Sequence, residues 1–130
     1  MEINTVSVRN PPGFGKEDGL KKVSGGETEY IITGASGHLG NTLVRRLMQQ
    51  RKEVTGLLLP GEKPPVTGMR TVYGNICEKE SLRPLFLSGR KAVVIHCAGC
   101  VSISSYDGLK LWNTNVLGTR NLVELAEEYG

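Results

Sequence analysis

No apolar run in this chain approaches the roughly 18 residues of a membrane-spanning helix. The N-terminus lacks a charged-then-apolar signal pattern, so a cytoplasmic location is expected. Cysteine is scarce: only Cys77, Cys97 and Cys100 are present. An odd number of cysteines with no secretory signal argues against a disulfide framework. The net charge of +3 is small and scattered along the sequence, which gives no sign of a nucleic-acid partner. Aromatic residues make up only 5%, beside 38% hydrophobic and 22% charged residues. That is the composition of a soluble globular protein, and 130 residues suffice for one small domain. No internal repeat is visible.

The most informative stretch is Thr33-Gly34-Ala35-Ser36-Gly37-His38-Leu39-Gly40. It follows the β-prone run Tyr30-Ile31-Ile32 and opens an amphipathic helical pattern. Glycines 34, 37 and 40 are spaced as G-x-x-G-x-x-G. A strand that turns into a helix through close glycines makes a phosphate cradle. Glycine lets the backbone turn tightly and approach a pyrophosphate, and the helix N-terminus offers free N–H groups and a positive dipole end. The strand before and helix after supply the context that such a motif requires. A P-loop would need Gly-Lys-Ser/Thr at its end. Gly40-Asn41-Thr42 has no lysine, which argues against nucleoside triphosphate hydrolysis.

Residues 1–28 differ from the remainder. They contain Asn10-Pro11-Pro12-Gly13-Phe14-Gly15, a lysine-rich turn and Ser24-Gly25-Gly26, with only Ile3, Val6 and Val8 alternating like a short strand. An extension or linker is expected there. Residues 29–130 alternate strand and helix. Strands are predicted at Glu29–Thr33, Glu53–Leu59, Met69–Tyr73 and Lys91–Cys97. The second is a near-continuous apolar run, as in a parallel sheet covered on both faces. Helices are predicted from His38 to about Arg51, from Glu78 to about Phe86, and from about Asp107 to Tyr129. Leu39, Leu43, Val44, Leu47 and Met48 form the apolar stripe of the first helix. Trp112, Val116, Val123 and Ala126 form that of the last, and Asp107 is its candidate N-cap.

This order predicts an α/β fold: a Rossmann-type parallel sheet with helices on both faces and strand order 3-2-1-4. The glycine turn then lies near the switch point between the first and fourth strands. The fourth strand would be an edge, yet it is as apolar as a central strand, and the chain ends at Gly130 where a fifth strand is due. A fragment of a longer protein is therefore expected, truncated before the next strand.

Four motifs fall in one order: the glycine turn, Tyr73-Gly74-Asn75-Ile76, His96-Cys97-Ala98-Gly99, and Asn115-Val116-Leu117-Gly118-Thr119-Arg120-Asn121. Together they resemble the N-terminal part of an extended short-chain dehydrogenase/reductase, most similar to the dihydroflavonol-reductase-like and nucleotide-sugar epimerase/dehydratase branches. The resemblance covers roughly residues 29–130. It implies a cofactor site for NAD or NADP made of Gly34, Ala35, Ser36, Gly37, His38, Leu39, Gly40, Asn75, Ile76, Cys97, Ala98 and Gly99. The turn would hold the pyrophosphate, and Asn75 and Ile76 would flank the adenine, with Asn where the family usually has Asp. Cys97-Ala98-Gly99 would line the cofactor near its nicotinamide ribose, where the family has Ala or Asn first. Asn115 would support the active site, and Ser102, Ser104 and Ser105 would face a small-molecule substrate in the full-length protein.

Two departures from the family pattern stand out. The acid that normally ends the second strand and binds the ribose diol is missing; Leu57-Leu58-Leu59-Pro60-Gly61 is followed by Glu62, which could reach a diol, and Lys63, which could meet a 2′-phosphate. The choice between NAD and NADP stays open at this point. The catalytic Ser and Tyr-x-x-x-Lys, which in the family come from the fifth strand and the following helix, are also missing. Tyr106-Asp107-Gly108-Leu109-Lys110 matches the spacing but precedes Asn115, and is read as a helix entry.

Cys97-Ala98-Gly99-Cys100 closes a strand rather than opening a helix, unlike a redox C-x-x-C. A zinc site would have to gather His96, Cys97, Cys100 and Cys77 from separate loops, with His96 and Cys97 on opposite strand faces, so no metal is expected. The function expected is the dinucleotide-binding portion of an oxidoreductase or epimerase. The alternatives are a non-catalytic NAD(P)-sensing regulator on the same fold, or a truncated chain acting through self-association at its exposed sheet edge.

Overall fold

The computed structural model describes residues 28–130. Residues 1–27 of the expected N-terminal extension lie outside the described residues. Four strands form one parallel sheet: β1 (Glu29–Thr33), β2 (Glu53–Leu58), β3 (Arg70–Tyr73) and β4 (Ala92–His96). Their order is β3-β2-β1-β4, as the sequence predicts. Ile31 stands between Thr55 of β2 and Val94 of β4, and Leu57 pairs with Val72 of β3.

Helices cover both faces because successive strand residues point to opposite sides. Ile31, Leu57 and Val72 pack against Leu82, Leu85, Phe86, Leu122 and Leu125 on one face. Ile32, Val54 and Leu58 pack with Ala35, Val44 and Met69 on the other. The second face is roofed by α1 (His38–Gln49), which ends where Arg51 takes a left-handed φ of 61°. The first face is roofed by α2 (Lys79–Leu82), the 3-10 turn Arg83–Phe86 containing Pro84, and the C-terminal helical segment. The Phe86 and Tyr129 rings stack there with centroids 5.7 Å apart. Among the described residues, no helix is long and apolar enough to cross a membrane.

The long helix predicted from Asp107 is broken into pieces. A 3-10 turn at Ser105–Asp107 leads into α3 (Gly108–Leu111), then a π-helical stretch at Trp112–Leu117, then α4 (Gly118–Tyr129). The wide π turn shifts the phase of the apolar stripe. Gly118 then lies flat on Ile76, where a Cβ would come within 2.7 Å of Cγ2, and the contact line continues through Leu122 and Leu125. Trp112, Val116 and Val123, expected on the buried stripe, are therefore exposed, while Ala126 is packed as expected. Leu39, also expected on the buried stripe of α1, is exposed, at 60%. Asp107 does not cap the helix through its side chain. It bonds to Ser102, and Ser104 accepts the Tyr106 N–H at 3.2 Å instead.

Candidate functional site

All four strands run the same way, so their C-terminal ends gather on one side of the sheet. A cavity of about 800 Å³ opens there, lined by the chain leaving β1, β2, β3 and β4. The glycine turn forms one wall. Gly34 takes a left-handed φ of 66° and lies so close to β4 that a Cβ would stand 2.7 Å from the Ala98 nitrogen. Gly37 donates its N–H to the Gly34 carbonyl at 3.0 Å and serves as the N-cap of α1 with an extended backbone. Gly40 lies against the turn from inside the helix, where a Cβ would overlap the Gly34 carbonyl oxygen. The three glycines thus have different tasks. Gly34 and Gly40 satisfy packing within the protein. A Cβ on Gly37 would meet only the Gly34 oxygen, at 3.4 Å. Space on the cavity side of Gly37 is what a phosphate needs to approach the helix N-terminus.

The structure brings Gly34, Ser36, Gly37, Asn75, Ile76, Cys97, Ala98 and Gly99 together around the cavity. Ala35 faces the core, fully buried under α1, and its N–H donates to Leu57 O at 3.3 Å. His38 and Leu39 are exposed, and neither they nor Gly40 line the cavity.

The second wall is the loop after β3. Ser81 fixes it by accepting the Asn75 N–H at 3.0 Å while its hydroxyl donates to the Glu78 carbonyl at 2.7 Å, on the same loop. Asn121 of α4 donates to Ile76 O at 3.0 Å. The Asn75 side-chain oxygen is already used by the Cys77 N–H at 2.9 Å. What Asn75 presents beyond this is its NH₂ group and one lone pair, where an aspartate would present only acceptors.

The third wall is the segment after β4. Asn115, from the π-helical stretch, pairs its side-chain amide with the Cys100 peptide, accepting from N and donating to O, both at 2.8 Å. Asn115 therefore stands behind the wall rather than lining it. Burial raises the Cys97 thiol above its ordinary pKa, so the side chain is a neutral lining group rather than a thiolate. Among the described residues, no cluster of three or more His, Cys, Asp and Glu side chains is arranged to hold a metal ion. Ser102, Ser104 and Ser105 lie outside the lining.

Glu62 is the residue whose place the sequence left undecided. Gly61, at φ 94°, turns the chain back at the end of β2. Glu62 then donates its N–H to Leu59 O at 3.0 Å and accepts the Leu59 N–H on Oε1 at 2.9 Å. An acid thus caps β2 from four residues beyond its end and lines the cavity, whereas Lys63 does not. The near wall carries Tyr106, Asp107, Leu109 and Lys110, which no motif assigned to the site. Their placement follows from the broken helix entry, which leaves no periodic signal.

The model of the NAD dependent epimerase/dehydratase family matches residues 30–130. The chain is 33% identical over 103 residues to sterol demethylase protein B of Methylococcus capsulatus, covering 77% of this chain and 31% of that protein. It is similar to the solved structure of Thermus thermophilus UDP-glucose 4-epimerase in complex with NAD, with a TM-score of 0.70, 29% identity, and 78% and 34% of the two chains covered. A short-chain dehydrogenase/reductase superfamily protein from Agrobacterium tumefaciens, solved with bound NAD, gives a TM-score of 0.68 at 27% identity, over 78% and 30% of the chains. The chain spans about a third of the length of these relatives. On the sheet order, the glycine turn and this match across residues 30–130, the chain belongs to the NAD dependent epimerase/dehydratase family.

Proposed function

We propose that this chain binds a nicotinamide dinucleotide with the pyrophosphate at Ser36–Gly37, as the dinucleotide-binding portion of an extended short-chain oxidoreductase or epimerase. Gly37 carries this reading. It is open on the cavity side at the N-terminus of a 12-residue helix, although packing does not require glycine there. The similar structures from T. thermophilus and A. tumefaciens, both holding NAD, support it. When bound, the nicotinamide supplies hydride transfer, and the residues of this chain bind and orient it.

Glu62 favours NAD over NADP. Its Oε1 is held by the Leu59 N–H, and its second oxygen has no partner among the described residues. A carboxylate accepts from a ribose diol and repels a 2′-phosphate. The expected result is that NADH binds at least about ten-fold more tightly than NADPH, and that Glu62→Gln narrows the ratio to about three-fold or less. Titration of both nucleotides by fluorescence checks this. Equal affinities for the wild-type chain would reject the cofactor preference, and no binding of either would reject the dinucleotide reading.

The sensing alternative shares the binding step and differs in turnover. Tyr106 is 95% exposed, and among the described residues its hydrogen bond is a backbone one to Ser104, with none to Lys110. An exposed tyrosine without that bond lacks the fixed geometry of a general acid. This chain is expected to show no oxidation of NADH with carbonyl substrates. Steady turnover that Tyr106→Phe removes would give Tyr106 a catalytic role.

A further inference from the structure

His96 joins three elements that the site depends on. Its Nδ1 lies 2.7 Å from the Thr33 hydroxyl at the end of β1, and its Nε2 lies 2.9 Å from the Thr119 hydroxyl on α4. The proton of each group follows from its other bonds. The Thr119 hydroxyl donates to the Asn115 carbonyl at 2.7 Å, so its single proton is committed. His96 Nε2 must then be the donor to Thr119. A neutral ring with its proton on Nε2 has an acceptor at Nδ1, and the Thr33 hydroxyl donates to it. This direction turns the Thr33 lone pairs toward the Cys97 and Ala98 N–H groups, which reach Thr33 Oγ1 at 3.0 and 3.1 Å. The Cys97 N–H also has the Thr33 carbonyl at 3.2 Å, whereas the Ala98 N–H has, among the described residues, the hydroxyl alone. Burial lowers the pKa of His96, in keeping with a neutral ring.

We propose that His96 is a positioning residue for the dinucleotide site: its Nδ1 sets the direction of the Thr33 hydroxyl and thereby holds the Cys97–Ala98 wall against Gly34. The inference deepens the dinucleotide reading and rests on it for the affinity readout alone. If the role is positioning, the acceptor at Nδ1 is what counts. His96→Asn keeps an acceptor at that reach and loses the bond to Thr119, while His96→Leu loses both.

The test compares the two variants. Both are expected to lose thermal stability, His96→Leu the more, because it loses Thr33 as well as Thr119. NADH affinity is expected to fall about ten-fold in His96→Leu and to stay within about three-fold of wild type in His96→Asn. Amide exchange at Ala98 is expected to speed up in the leucine variant alone. Equal loss of affinity in both variants, measured on the folded fraction of each, would overturn the proposal. In the wild-type chain, ¹⁵N shifts of the ring are expected to show a proton on Nε2. A ring protonated on Nδ1 would overturn the proposal even where a variant fails to fold. If wild-type chain binds no dinucleotide, the functional reading fails, and the ring shifts together with Ala98 exchange decide the role of His96.

Discussion

Replacing Gly37 with aspartate is expected to remove dinucleotide binding while leaving the fold intact. Gly37 has φ −77° and ψ 178°, an extended conformation that any residue adopts. A Cβ there meets only the Gly34 oxygen at 3.4 Å. Position 37 is also an N-cap, and aspartate is among the preferred residues at that place. Gly37→Asp should therefore keep the melting temperature within about 3 °C of wild type, or raise it. For the ligand the effect is reversed. The new carboxylate takes up the free N–H groups of the first turn of α1 and sets a like charge against the pyrophosphate. At an effective dielectric of about 20, two unit charges about 4 Å apart repel by about 4 kcal/mol, enough for at least about a hundred-fold loss of affinity. Calorimetry with NADH checks this, and wild-type affinity in Gly37→Asp would move the phosphate site away from this turn.

Gly40→Ala is the contrasting variant. Its methyl group would overlap the Gly34 carbonyl oxygen and lie 2.8 Å from the carbonyl carbon and 3.0 Å from Ala35 Cα. These are backbone atoms, so the turn itself must shift, and the expected loss is in stability first. The sequence spacing presents Gly34, Gly37 and Gly40 as one motif. In space, one of the three keeps room for a ligand and two keep room for the protein.

The fold was legible for a physical reason. In a parallel sheet covered on both faces, a strand such as β2 is buried along nearly its whole length, so Val54–Leu58 reads as an apolar run without alternation. The turn that joins β1 to α1 was legible because the left-handed φ of Gly34 and the close approach at Gly40 demand glycine. The stripe of the last helix was misjudged because periodicity assumes a single pitch, and the π-helical stretch at Trp112–Leu117 changes it. Glu62 was undecided because its position depends on the left-handed turn at Gly61, which returns the carboxylate to the strand end. His96 was read as the start of the fourth-strand motif and as an unfavourable zinc ligand, on the strand face opposite Cys97, with no hydrogen-bonding task. Its hydrogen bonds join residues 63 and 23 positions away, and nothing local in the sequence encodes them.

Glu29 was the least visible residue of all, and its removal is expected to have the largest effect on stability. A glutamate at the first position of a strand reads as a solvated end, yet Glu29 is fully buried. Its carboxylate accepts from Thr55 of β2 at 2.5 Å, Arg70 of β3 at 2.8 Å and Ser88, just before β4, at 2.5 Å. One side chain therefore ties β1 to the chain segments on both sides of it, at the end of the sheet opposite the cavity. Taking an ion out of water costs several kcal/mol, which good geometry and several donors must offset. Glu29→Ala removes the acceptor and leaves the buried Thr55 hydroxyl without this bond. The expected loss is about 3–5 kcal/mol, out of a total of about 5–15 for an ordinary domain. The melting temperature should drop by more than about 10 °C. Glu29→Gln keeps one acceptor oxygen, so its loss should be smaller. Because Glu29 is remote from the cavity, the variant should bind NADH weakly only through its unfolded fraction, and saturating NADH should restore much of the melting temperature. A melting temperature within about 2 °C of wild type in Glu29→Ala would mean that the desolvation cost of the carboxylate cancels its three bonds. Loss of binding in a fully folded Glu29→Ala chain would instead show that the two ends of the sheet are coupled.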